Sequence, residues 1–183
     1  MTTIHRVRRP LVRQDTPALI EALGRTSFEG YASLFSVADG AGDVVAPGAF
    51  ARSLRARPPA QVRMLYQHFA HEPIGVWEVI AEDSRGLYVK GRLNDKVVRA
   101  QEVSALIAQG ALNGLSIGFR TLRAKRDIAA GTRTLLEIEL WEISIVTFPL
   151  LAGSLVTGIG SKLSQAWLKR AAAFLRSASP QSE

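Results

Sequence analysis

From Phe28 onward the chain runs in short stretches of alternating apolar and polar side chains, the period of half-buried strands. Phe28 to Phe35 has that character, and Ser36 to Asp43, with Gly40 and Gly42, reads as a turn-rich loop. Val44 to Phe50 leads into a short helix through Leu54. Pro58-Pro59 closes it, because proline supplies no N–H and restricts the residue before it. Val62 to His68 is expected as a strand, with Val62, Met64, Tyr66 and His68 on one face. Val76 to Ile80 and Gly86 to Leu93 are expected to pair across Glu82 to Arg85. A helix capped by Asn94 or Asp95 then runs through Gln109, with Val103, Leu106 and Ile107 on its apolar stripe and Gly110 at its end. It delivers the chain into a strand, Gly114 to Phe119. Arg120 to Arg133 follows as a basic loop, read either as an anion-binding segment or as a solvated hairpin. Leu135 to Phe148 is the longest strand-like run. Leu136, Ile138 and Leu140 share one phase, Glu137 and Glu139 the other, and Glu142 falls in the apolar phase.

The two ends differ from this middle. Residues 1–26 form a basic arm in which Arg6, Arg8, Arg9 and Arg13 precede the first acid, Asp15, with a short helix expected from Pro17 to Leu23. Residues 27–155 read as one domain. Residues 156–183 carry an amphipathic helix that Ser161 caps, with Leu163, Trp167, Phe174 and Leu175 on one side, and a polar tail. The net charge of +7 favours acidic surfaces or nucleic acid as neighbours. No apolar run approaches the roughly 20 residues that span a bilayer, so the expectation is a soluble intracellular protein without a membrane role. The absence of cysteine excludes disulfides, thiolate metal sites and a cysteine nucleophile, so nucleophilic chemistry must use another group.

Three residues on separate strand-like segments draw attention. Ser116 shares its strand face with Gly114 and Gly118, whose missing side chains leave space around a hydroxyl. His68 ends an expected strand on an apolar face, where a neutral imidazole with an oriented tautomer fits. Glu142, if no bulge shifts the register, faces a core and needs a hydrogen-bonded or charged partner to stay ionised, for which a histidine is natural. Each has a plain structural alternative: a solvated serine in a glycine-interrupted strand, a core histidine, and a carboxylate reaching water from an edge strand. A metal site on His68, His71 and Glu72 is disfavoured, since the spacing is not helical and Pro73 opposes a helix there. No metal or cofactor is expected.

In series, five motifs resemble the prohead maturation proteases of tailed phages and of related gene-transfer particles. They are Phe28-Glu29-Gly30-Tyr31-Ala32, Gly42 to Phe50, Gln67-His68 followed by Pro73-Ile74-Gly75, Gly114 to Phe119, and Trp141 to Pro149. That family is similar in turn to the herpesvirus assemblin proteases. The resemblance implies an α+β, mainly β fold, an assemblin-like β-barrel flanked by helices. It implies a serine endopeptidase packaged in the procapsid in the host cytoplasm. Its substrates would be the capsid protein's scaffolding segment or the internal scaffold, and the protease itself. Carried over by motif, Ser116 is the nucleophile and His68 the general base, with Glu142 the sequence-derived candidate for the orienting third member. Herpesvirus relatives use a second histidine in that third position. A homo-oligomer stays open, and nucleic acid is not the expected substrate. The rival reading is a non-catalytic capsid or tail component whose basic ends contact nucleic acid. No stacking platform or groove-reading motif accompanies those ends.

Overall fold

The structure, a computed structural model, describes residues 26–160. The expected N-terminal arm and its helix, and the final amphipathic helix with its tail, lie outside the described residues. Between them runs one eight-stranded sheet: β1 (Ser27–Leu34), β2 (Asp43–Val45), β3 (Arg63–Tyr66), β4 (Pro73–Glu82), β5 (Gly86–Leu93), β6 (Gly114–Asp127), β7 (Thr132–Val146) and β8 (Val156–Ile159). Among the described residues two α-helices interrupt it, α1 (Ala51–Ala56) and α2 (Val98–Ala108).

The long β7 organises the sheet. On one edge it pairs antiparallel with β6; on the other it pairs in parallel with β2 near its start and with β3 near its end. From β3 the sheet continues through β4, β5 and β1 to β8. It also curls back on itself. The segment entering β8 reaches the start of β6, where Leu115 N–H donates to Ser154 O at 2.8 Å and Val156 N–H to Asn113 O at 2.8 Å. The interior holds a continuous apolar cluster that includes Phe50, Met64, Ile74, Trp77, Leu87, Leu115, Ile138 and Ile143. Strand pairing thus extends past residue 155, because β8 adds to β1.

The hydrophobic pattern located these elements well, with four corrections. Strand β3 stops at Tyr66, and Gln67 and His68 both adopt left-handed backbone (φ 53° and 61°), so His68 sits in a turn and not at the end of an apolar strand face. Helix α2 starts at Val98, later than expected, because Asn94 closes a turn of its own: its carbonyl accepts from Val97 N–H and its side chain from Lys96 N–H. That helix buries Ala100, Val103 and Ile107 but leaves Leu106 exposed. The basic segment is the hairpin of its second reading, but it is strand rather than loop through Asp127 and again from Thr132. Arg120 pairs with Glu139 across it (2.8 Å), and Arg133 with Asp43 (Nε to Oδ1, 2.7 Å).

The fourth correction concerns β7. Between the pairs Gly118↔Glu142 and Phe119↔Leu140 the register slips, leaving Trp141 as an extra residue. Such a bulge moves every later side chain to the other face. Leu140 and Ile138 face the core in one phase, Ile143 and Ile145 in the next, and Glu142 therefore leaves the apolar phase for the opposite face. Trp141 is half exposed and its indole bonds Glu139, which, with Arg120 and Arg57 beside it, holds that carboxyl below the usual carboxylate range.

Candidate active site

Strands β6, β7 and the end of β3 bring the three sequence-selected residues to one place. Directly opposed residues of an antiparallel pair point to the same side of the sheet, about 5 Å apart at Cβ. Ser116 opposes Ser144 and Gly118 opposes Glu142, so all four share one face. Gly114 and Gly118 do leave space beside Ser116, and that space is used. A methyl on Gly114 would lie 2.5 Å from Val146 O and 2.8 Å from Pro149 Cδ. A methyl on Gly118 would lie 2.8 Å from both Cγ and Cδ of Glu142 and would overlap its Oε1.

The parallel pairing of β3 with β7 sets Leu65 beside Ser144 and Tyr66 beside Ile145, so the turn after β3 rises over Glu142 and Ser144. Non-glycine residues with positive φ are uncommon and cost about 1–3 kcal/mol each, so two in succession must be held by their surroundings. Three contacts do this. Gln67 N–H donates to Ile145 O (3.0 Å), the Gln67 amide donates to Thr147 Oγ1 (2.6 Å), and His68 N–H donates to Ser144 Oγ (3.0 Å). In this turn the His68 ring reaches Glu142, with Nδ1 to Oε1 at 2.6 Å across 74 residues of sequence.

That short contact decides the tautomer. An ionised carboxylate only accepts, so Nδ1 carries a proton, and in the neutral ring Nε2 is left as an acceptor. The hydrogen bond to Glu142 raises the pKa of His68 above 6.5; burial opposes this, and the negative charge of Glu142 adds to it. The imidazole is 44 % exposed while Glu142 is only 13 % exposed, so the carboxylate lies beneath the ring and the far edge of the ring meets solvent. The hydroxyl of Ser116, half-buried, makes no hydrogen bond to His68. It lies across the strand pair from Ser144, which itself touches both His68 and Glu142. The other members of the disfavoured metal set have separate partners: His71 stacks on Phe69 and Glu72 accepts from Arg99 Nε at 3.3 Å.

Glu142 thus has the histidine partner anticipated for it, but not for the reason that suggested one, since it does not face the core. Ser144 escaped notice altogether. The signal was available: a serine inside Ile143-Ser144-Ile145-Val146, buried among aliphatics, must find polar partners. Gln67 and Thr147, which brace the turn, carry no comparable mark in the sequence.

A sequence model of the family described as caudovirus prohead serine protease matches residues 14–166. The chain belongs to that family. It is 40% identical over 124 residues to the prohead protease of Enterobacteria phage HK97, an alignment covering 67% of this chain and 55% of that protein. The chain spans a little over half the length of the curated relatives it matches. Among solved structures it is similar to the bacteriophage T4 capsid assembly protease, with a TM-score of 0.55 and 12% identity over 66% of this chain and 80% of that one. It is likewise similar to KSHV protease in complex with a hexapeptide phosphonate inhibitor, with a TM-score of 0.53 and 12% identity over 84% and 77%. At these identities the likeness is one of fold, and it bears out the assemblin-like, mainly β architecture with flanking helices.

Proposed function

We propose that this chain is a serine endopeptidase of procapsid maturation. It acts inside the procapsid within the host cytoplasm, on the capsid protein's scaffolding segment or the internal scaffold, and on itself. The observation that carries the reading is the short His68–Glu142 contact on the sheet face of Ser116. It supplies what a serine needs, since a hydroxyl is a weak nucleophile at its own pKa and must be deprotonated as it attacks. Membership of the prohead protease family and the fold shared with capsid assembly proteases support the same reading.

In this mechanism Ser116 Oγ attacks the scissile carbonyl and His68 Nε2 takes its proton, later returning it to the leaving amine. Glu142 accepts from Nδ1, fixes the ring's orientation and stabilises the imidazolium. A triad is defined by geometry and roles and not by chain order. The gap between Ser116 and His68 closes when substrate binds, as catalytic hydrogen bonds in free enzymes are often long. Backbone N–H groups of the glycine-flanked β6 strand or of the residues after Phe119 are the candidates for the oxyanion hole, where one donor is worth about 3 kcal/mol.

Intact-mass spectrometry of the cognate capsid protein, co-expressed with wild type or with Ser116→Ala, tests this. Truncation with wild type alone is expected. Truncation with both would remove Ser116 as the nucleophile, and truncation with neither, in assembled shells, would favour the non-catalytic reading.

A further inference from the structure

We infer that Ser144 is a positioning residue for the proposed triad, one hydroxyl that ties the general base and its carboxylate to each other. The inference rests on the reading of Ser116, His68 and Glu142 given above, and it adds a residue which that reading does not use. Ser144 is fully buried, yet its Oγ has both kinds of partner. It donates to Glu142 Oε2 at 2.7 Å and accepts from His68 N–H at 3.0 Å. Glu142 therefore has each oxygen engaged, Oε1 by the imidazole and Oε2 by Ser144. A carboxylate held at both ends cannot rotate away from the ring.

The second bond acts on the other partner. His68 sits in left-handed backbone, and its N–H would be unpaired without Ser144. Holding that N–H keeps the strained turn in the conformation that aims the ring at Glu142. Because the same oxygen is also bonded to Glu142, the backbone of the base and the carboxylate that orients it are referred to one atom. The position is fixed in turn by the sheet. Ser144 lies between Leu65 on β3 and Ser116 on β6, within the run that β7 pairs on both edges. Motion of the turn relative to the Ser116 strand must break this bond together with the two that Gln67 makes.

The test uses the full chain and a fluorophosphonate probe, which labels an activated serine by displacement of fluoride and needs no knowledge of the cleavage site. Labelling rates across pH are compared for wild type, Ser116→Ala, Ser144→Ala, Glu142→Gln and the Ser144→Ala/Glu142→Gln double variant. Ser144→Ala is expected to slow labelling about 10- to 100-fold, the loss of a hydrogen bond to a charged group. In the Glu142→Gln background the same change is expected to cost only about threefold, because residues acting as a unit are not additive. Equal factors in both backgrounds, or wild-type labelling by Ser144→Ala, would overturn the inference. Labelling of Ser116→Ala at the wild-type rate would instead overturn the nucleophile assignment, so the two failures are distinct. Should Ser144→Ala not fold, amide hydrogen exchange in the Ser116→Ala protein decides: protection of the His68 N–H supports the inference, and exchange at the rate of a free turn amide refutes it.

Discussion

Gly118→Ala disturbs the site while leaving each of its functional groups in place. Gly118 lies in β6 opposite Glu142, at the pair before the bulge in β7, and alanine is sterically allowed at strand φ values. The added methyl would stand 2.8 Å from Cγ and Cδ of Glu142, where carbon contacts are comfortable at roughly 3.5–4 Å. Glu142 must therefore shift by about 1 Å. Its bond to His68 is now 2.6 Å, and a displacement of that size along the contact takes it to the limit of hydrogen bonding, roughly 3.5 Å. Hydrogen bonds to charged groups contribute about 1.5–3 kcal/mol, so the expected loss of serine reactivity is about 10- to 100-fold. Thermal stability should fall by no more than that same contribution, about 1.5–3 kcal/mol, because Glu142 lies on the site face and not in the apolar cluster. The assay is fluorophosphonate labelling beside a thermal melt. Wild-type labelling with an unchanged pH profile would refute the claim that Glu142 must occupy the space above Gly118 to support the base.

Two further outcomes follow from the same geometry. In the proposed mechanism activity requires neutral His68, so labelling should rise with pH through a pKa held above 6.5 by Glu142; Glu142→Gln removes the negative charge and leaves only a weaker, neutral acceptor for Nδ1–H, while burial still lowers the pKa, so the limb should move to lower pH, and an unmoved limb would mean that another group sets it. Ile143→Ala deletes a fully buried side chain on the core face of β7 and should cost about 2–5 kcal/mol in denaturant unfolding, whereas a loss below about 1 kcal/mol would contradict the bulge-shifted phase that puts it inside.

Much of the site was legible in the order of residues, through local rules. Alternation along Gly114 to Phe119 placed Ser116 between two glycines on one face, and the same period located β1, β4 and β5 to within a few residues. The pattern failed where a single residue changes phase. Whether Trp141 is bulged depends on how β7 matches β6, and no property of Leu140-Trp141-Glu142 alone distinguishes a continuous strand from an interrupted one. His68 was misplaced for a similar reason. Val62 to Tyr66 alternates, but the left-handed turn after it is stabilised by Ile145, Ser144 and Thr147, all far along the chain.

What the sequence by itself determined is therefore the set of side chains and the face that an uninterrupted stretch of strand offers, because strand periodicity and the space left by glycine are properties of neighbouring residues. Which side chains meet was decided only by tertiary structure. Parallel pairing of β3 with β7 sets Arg63 beside Glu142 and Tyr66 beside Ile145, and it has no local signature because its hydrogen bonds reward residues that are strangers in sequence. The bulge then turns Glu142 out of the core phase and toward His68, and Ser144, two residues on, ties that carboxylate to the turn bearing the ring.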